Sequence, residues 1–378
     1  MLRRSGHRPL PLSRPGNPSQ KSGSRRKGAR KKSGTKPGAR RAAAHRWATW
    51  PEDRLLDTRL CDLGLAIERS PVREPLATLY RELDERGITF RPHCWLSDCW
   101  FCPDGVTGFA IPFYLAHPRL MRLEKARMLE IEGGTLKECL QLMRHETAHA
   151  LANAYRLHLK QAWRRRFGRG SRSYPDSYLP RPHSRNYVIH LEGWYAQSHP
   201  HEDWAETFAV WLDSGSNWQE RYREWPALRK LNYVDSLMQE IADQRPPVRS
   251  RRQVDSISTL RLTLREYFEH KQALLREDYP RFHRQQLERI FPSAKGRNNE
   301  RAAHFIRRCR KDALETVSRW TAASRYRISL TLDDMVLRAD ELDLHVGADT
   351  DRTRLALVSA LIMLYMGSLQ TGKSRLTL

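Results

Sequence analysis

The feature that most constrains this chain is a pair of histidines, His145 and His149, in the segment RHETAHA. Thr135 is followed three residues later by Glu138, a capping-box pattern that predicts a helix beginning at Leu136. A separation of four residues places two side chains on the same face of a helix, one turn apart. Both imidazoles are therefore expected to reach one common ion.

The predicted helix covers 136–155 and has two sides of different character. Leu136, Leu140, Met143, Thr147 and Ala150 recur at helical spacing and are expected to face the core. The histidines lie on the opposite side, and Glu146 between them is placed to touch a water molecule on the ion. HExxH on a helix is typical of zinc hydrolases, so we predict a Zn²⁺ site with Glu146 as the activating base. Two ordinary histidines are the alternative.

A catalytic zinc ion usually has three protein ligands and one open position. Ala152 and Tyr155 occupy the two places where the pattern HExxHxxGxxH requires Gly and His, so that pattern is excluded. A better source is the segment HPHEDWAETFAVWL, which has helical periodicity. Glu202, Glu206 and Asp213 share an acidic stripe on this helix, beside an apolar face. A solvated acidic face is the alternative to a ligand-bearing helix.

The acidic stripe leaves the choice of the third ligand partly open. We expect Glu202 to bind the metal and Glu206, one turn further, to accept a hydrogen bond from a ligand histidine. Asp203 points about 100° away on a helix and is the weaker candidate. A site with three histidines remains open through one of the nearby residues His190, His199 and His201.

HETAH followed at a distance by ExxAE resembles the gluzincin pattern, and the segments from SDCWFCPDG to EDWAETFAVWL resemble the zinc-binding metallopeptidases of the zincin-like superfamily. The resemblance covers about 96–213. It implies a zincin-like fold and hydrolysis of peptide bonds in a peptide or protein substrate, with Glu202 as a zinc ligand and Glu146 as the general base. It also implies a hydrogen-bond donor on the open side of the metal, a role for which Tyr195 or His190 is available.

The N-terminal segment has a different composition. Residues 1–50 contain fifteen Lys or Arg and no Asp or Glu, so they supply +15 of the formal net charge of +24. Gly, Ser and Pro are mixed with these like charges, which predicts a disordered basic tail over 1–45. Such a tail can bind nucleic acid or another anionic surface by counterion release, or serve as a solubilising arm.

The remaining chain is predicted to form two folded units. An α+β, zincin-like domain is expected at 46–248, with the segments 88–96 and 107–115 pairing as strands of a small sheet before the HETAH helix. QRPPVRSR marks a linker, and an all-α domain of unknown role is expected at 253–378. Its candidate helices lie at 256–275, 279–291, 298–325, 331–343 and 350–368.

Two further properties bear on location and on other kinds of site. No apolar stretch follows the N-terminal charges as in a secretory signal, and the longest apolar run, 355–366, is too short to span a membrane, so we expect a cytoplasmic protein. His93, Cys94, Cys99 and Cys102 contain only one CxxC pair, which favours buried cysteines over a structural zinc site. The arginine-rich run 163–172 is interpreted as a solvated loop.

Overall fold

The computed structural model describes residues 45–175, 178–276, 279–291 and 300–370. The predicted basic tail, 1–45, lies outside the described residues except for its last position. Helices dominate the fold, with one small sheet. The elements in chain order are α1 (Glu52–Leu56), α2 (Arg73–Glu85), β1 (His93–Ser97), β2 (Gly108–Pro112), α3 (Pro118–Met128), α4 (Leu136–Ala154), α5 (Gln161–Phe167), α6 (Pro200–Leu212), α7 (Trp218–Arg221), α8 (Leu228–Ile241), α9 (Leu264–Arg276), α10 (Arg284–Ile290), α11 (Ala302–Thr321), α12 (Arg325–Glu341) and α13 (Thr350–Gln370).

The small sheet consists of β1 and β2, which pair in parallel from His93 opposite Gly108 to Ser97 opposite Pro112. A side chain at Gly108 would place its Cβ 2.1 Å from the carbonyl oxygen of His93, so this register requires glycine. Both strands are shorter than the predicted segments. A mostly helical chain with a small sheet agrees with the predicted α+β class.

Helix α4 begins as the capping box predicts. The Glu138 N–H donates to the hydroxyl of Thr135, and the Thr135 N–H donates to the carboxylate of Glu138, both at 3.2 Å. The helix ends at Ala154, one residue before the predicted end. Its start is set locally, because both hydrogen bonds join residues three positions apart.

Helices α4 and α6 lie in the largest hydrophobic core formed by the described residues, and α4 also contacts α2 and β2. Only one side of α4 was expected to face a core, but the side that carries the histidines is buried as well. Leu136, by contrast, is 52% exposed in the first turn. The burial of the histidine-bearing side of α4 cannot be read from sequence periodicity, because α6 covers this polar side with its own polar side chains.

The second core consists mainly of side chains from α10 to α13. The expected helix 298–325 ends earlier, at Thr321, because Ala322 adopts a left-handed conformation with φ 54°. Helix α12 then begins at Arg325, behind the N-cap Ser324, rather than at 331. The predicted helix 256–275 begins at Leu264 and packs into the first core. The division at 253 into two domains stays a prediction.

Helix α13 contains the longest apolar run of the chain. It buries one face through Leu357, Leu361 and Tyr365, whereas Leu355 and Met363 are each 68% exposed. Among the described helices, none is long and apolar enough to cross a membrane.

Candidate metal centre

Three ligand-type atoms from α4 and α6 converge inside the first core. The Nε2 atom of His145 lies 3.1 Å from Nε2 of His149 and 3.0 Å from Oε2 of Glu202. The third distance, from His149 Nε2 to the same carboxylate oxygen, is 3.4 Å. Within the described ranges, these three residues form the only group of at least three His, Cys, Asp or Glu side chains arranged to hold one metal ion.

Contacts within α4 and between α4 and α6 position the three side chains. The spacing of four residues aligns His145 with His149 on α4, and their rings meet edge to face with centroids 4.9 Å apart. The indole N–H of Trp204 on α6 donates to the carbonyl of Ala148 on α4, at 2.8 Å. Trp204 therefore ties the helix bearing Glu202 to the helix bearing the histidines.

The site is enclosed. His145, Glu146, Glu202 and Glu206 are 0% exposed, and His149 is 5% exposed. The acidic face of α6 is therefore not solvated, and the histidines are not surface residues. Burial of so many ionisable groups is unfavourable unless each is paired with another charge, a hydrogen-bond partner or a metal.

Glu206, predicted to accept a hydrogen bond from one of the histidines, contacts His145. Its Oε1 atom accepts from Nδ1 of His145 at 2.8 Å, and its Oε2 atom accepts from the backbone N–H of Leu191 at 2.8 Å. Burial disfavours a charged imidazole, but hydrogen bonds to Glu202 and Glu206 outweigh burial and raise the pKa of His145 to about 9. The hydrogen bond at Nδ1 leaves Nε2 directed at His149 and Glu202.

Arg144 holds α4 in place from the other side and was not identified from the sequence. Its guanidinium donates twice to Glu82 of α2, at 2.9 and 2.6 Å. It also pairs with Asp213, just beyond the end of α6, at 3.1 Å. Asp213, expected on the acidic stripe, therefore pairs with a cation. It lies outside the group formed by His145, His149 and Glu202, which we call the metal group. Only the position of Arg144 directly before His145 hinted at this role.

Asp203 also has another partner. Its carboxylate lies 2.6 Å from the ammonium group of Lys230 on α8, with both side chains largely buried. Burial raises the pKa of Asp203 to about 7, although Lys230 acts in the opposite direction. This pairing accounts for the absence of Asp203 from the metal group.

Tyr174 is a second side chain that sequence analysis missed. It lies in the irregular connection between α5 and α6, and its hydroxyl donates to Oε1 of Glu202 at 2.7 Å. The histidines thus face one oxygen of this carboxylate and Tyr174 binds the other. No short motif marks Tyr174, because Tyr174 and Glu202 are 28 positions apart in the chain.

Tyr195 and the three remaining histidines have different surroundings. The ring of Tyr195 is buried with its centroid 5.7 Å from that of His145. His190 contacts the carbonyl of Gln141 through Nε2 at 3.0 Å. His199 and His201 lie around the N-terminus of α6, outside the metal group. The structure thus places Tyr195 beside a proposed metal ligand.

The cysteine-containing segment near His93 and the arginine-rich run have other surroundings. Both ring nitrogens of His93 contact backbone carbonyls, those of Thr107 and Arg252. In the part of the chain that the structure describes, His93 and its neighbouring cysteines do not form a group that could hold a metal. The prediction of a solvated loop at 163–172 is wrong for its first half, because Trp163 and Phe167 are buried on helix α5, while the arginines between them are exposed.

Comparison with known proteins agrees with the resemblance noted in the sequence. Residues 127–223 match a family model described as "Putative zinc-binding metallo-peptidase". No curated protein and no solved structure matches the chain. The matched region, about a quarter of the chain, contains α4 and α6 and therefore all three residues of the metal group. Over 127–223, this chain is thus similar to a family of zinc-binding metallopeptidases.

Proposed function

We propose that this protein is a zinc-dependent peptidase with a zincin-like fold, in which His145, His149 and Glu202 hold the metal. The observation that carries the proposal is the triangle of donor atoms, with sides of 3.0, 3.1 and 3.4 Å. Ligand atoms at about 2.0–2.1 Å from a tetrahedral zinc ion lie about 3.3 Å from one another. The triangle therefore has the size that zinc requires.

The chemistry of the donors supports the same ion. Two imidazoles and one carboxylate form a donor set used by hydrolytic zinc enzymes, with a fourth position left for water or substrate. Glu206 accepts from Nδ1 of His145 and so supports the tautomer in which Nε2 is the ligand atom. Both features suit a catalytic site.

When bound, Zn²⁺ supplies a Lewis acid that polarises a carbonyl group and lowers the pKa of a water molecule toward neutrality. Glu146, between the two histidines on α4, accepts the proton of the attacking water and returns it to the leaving amine. Tyr195, beside His145, donates a hydrogen bond to the oxyanion of the tetrahedral intermediate. Glu206 keeps His145 oriented through this sequence by accepting a hydrogen bond from its Nδ1 atom.

Replacing Glu146 with Gln tests the peptidase function, because the amide retains the shape of the side chain and cannot accept the proton. The variant is expected to keep about one zinc per chain and to lose most of its peptidase activity, on the order of a hundredfold or more. The measurement compares new protein N-termini generated in a proteome by the wild type and by Glu146→Gln. Equal sets of N-termini would contradict the proposal.

A zinc-binding protein without peptidase activity is the second candidate. It is favoured by the burial of every metal-group side chain, because even His149, the most exposed of the three, is only 5% exposed. Under this alternative the wild type binds zinc and generates no new N-termini. The same experiment therefore separates the two candidates.

The basic tail suggests how such a protein could reach its substrate. We propose that 1–45 attaches the protein to nucleic acid or another anionic surface. Deletion of 1–45 is expected to abolish salt-sensitive binding to DNA or RNA. Undiminished binding by the shortened protein would contradict this proposal.

A further inference from the structure

We propose that Tyr174 is a positioning residue for the third metal ligand, and that His199 holds Tyr174 in place. The inference rests on the proposed zinc site and gives roles to two further side chains, of which Tyr174 lies outside the sequence pattern. Its central observation is the 2.7 Å hydrogen bond from the Tyr174 hydroxyl to Oε1 of Glu202.

The hydrogen bond from Tyr174 gives the two carboxylate oxygens of Glu202 different partners. Oε2 of Glu202 faces both histidines, at 3.0 and 3.4 Å, while Oε1 accepts the hydrogen bond from Tyr174. A carboxylate held at one oxygen cannot rotate freely about its terminal bond. Glu202 therefore presents one defined ligand atom to the metal, as expected when a hydrogen-bonded partner orients a ligand.

His199 fixes the position of the Tyr174 ring. The two rings stack with centroids 3.8 Å apart and an interplanar angle of 19°. Nδ1 of His199 accepts the backbone N–H of His201, so the ring proton is on Nε2, which donates to the carbonyl of Arg172 at 2.8 Å. One imidazole thus caps the helix that carries Glu202 and anchors the loop that carries Tyr174.

These contacts give the connection between α5 and α6 a role in orienting Glu202. Tyr174 and Glu202 are brought together by His199, which lies three residues before Glu202 in the chain. Movement of the loop at Arg172 would therefore be transmitted to the ligand carboxylate through both the stacked ring and the hydroxyl. The geometry couples loop position to metal affinity.

Tyr178 provides a matched control. It lies in the same connection and is also half-buried, but its hydroxyl donates to the carbonyl of Gly193, at 2.8 Å. Tyr174→Phe and Tyr178→Phe each remove one hydroxyl hydrogen bond from this segment. Only Tyr174→Phe removes a bond to the ligand carboxylate.

The experiment measures the Zn²⁺ affinity of the full chain by competition with a chromogenic chelator. Tyr174→Phe is expected to weaken affinity about 10–100-fold, the usual effect of losing an orienting partner, and Tyr178→Phe to change it by less than about twofold. The visible spectrum of Co²⁺-loaded protein should change only in Tyr174→Phe. Melting temperatures of the two metal-free variants should be similar, because each variant loses one hydroxyl hydrogen bond from the same segment.

Three results would overturn the inference in distinguishable ways. Wild-type Zn²⁺ affinity in Tyr174→Phe, with or without a loss of activity, would show that Tyr174 does not position the ligand. Equal weakening in both variants would indicate a general effect of the loop. A wild type that binds no Zn²⁺ would instead contradict the proposed function itself.

Discussion

Helices α4 and α6 in the first core and helices α11 and α12 in the second are both closely packed pairs, but their buried faces differ in chemistry. The first pair buries His145, Glu146 and Glu202. The second buries side chains such as Ile306, Ile328 and Leu332. An apolar face is stabilised by burial alone, whereas buried ionisable groups cost several kcal/mol each unless they are partnered.

Several charged side chains of the second pair lie at the surface, although Arg327 of α12 is buried. Arg310 pairs with Asp333, and Arg308 pairs with Glu300, in contacts that are partly or largely exposed. Such pairs contribute little to stability. Helices α11 and α12 are thus organised for packing, whereas α4 and α6 retain an unfavourable set of buried groups that a metal would satisfy.

The largest contrast is expected between His149→Ala and Leu332→Ala. His149→Ala should reduce zinc from about one per chain to nearly none, because it removes one of three ligands. Leu332→Ala should lower the free energy of unfolding by about 2–5 kcal/mol and leave the zinc content unchanged. Metal analysis and denaturant unfolding of both variants test this. Loss of zinc in Leu332→Ala alone would contradict the expected difference between the two helix pairs.

The Arg144 contacts provide the next test. Arg144→Met leaves Glu82 buried without its cation, so the free energy of unfolding of the metal-free protein should fall by about 3–5 kcal/mol. Arg310→Met removes a pair with a largely exposed partner and should cost about 1 kcal/mol or less. Similar losses in the two variants would show that burial does not distinguish the pairs.

A smaller effect is expected from Glu206→Gln. The amide is nearly the same size, but it binds the Nδ1–H of His145 less strongly than a carboxylate does. Zn²⁺ affinity should fall about 10–100-fold, with the zinc content preserved at saturating metal. Chelator competition measures the change. An unaltered affinity would remove Glu206 from the proposed site.

The smallest effect is expected from a local motif that occurs twice. His117-Pro118 and His199-Pro200 both begin helices, and each histidine accepts the N–H two residues further on, at 3.1 and 3.2 Å. Asn is a good N-cap, so His→Asn at either position should preserve the helix. His199→Asn should weaken Zn²⁺ binding roughly threefold to tenfold, because Tyr174 loses its stacking partner.

His117→Asn is the control, because His117 packs against Trp47 and has no contact with the metal group. Its Zn²⁺ affinity should equal that of the wild type. Equal affinities in both variants would show that the two caps have the same, purely structural role.

The local features of the site follow from the amino-acid sequence alone. The Thr135 capping box and the spacing of His145 and His149 require only that the chain forms a helix, and helical periodicity depends on neighbouring residues. The same periodicity placed Glu202 and Glu206 on one stripe. These properties are readable because every interaction involved lies within one or two turns.

Tertiary packing, in contrast, determines which of these groups meet. It directed Glu202 toward the histidines and Asp203 toward Lys230, although the two acids are adjacent in the chain. It also brought Glu82 to Arg144 and Tyr174 to Glu202. These pairings depend on how distant segments pack, and the free energy of packing is shared among many side chains, so no short pattern records them.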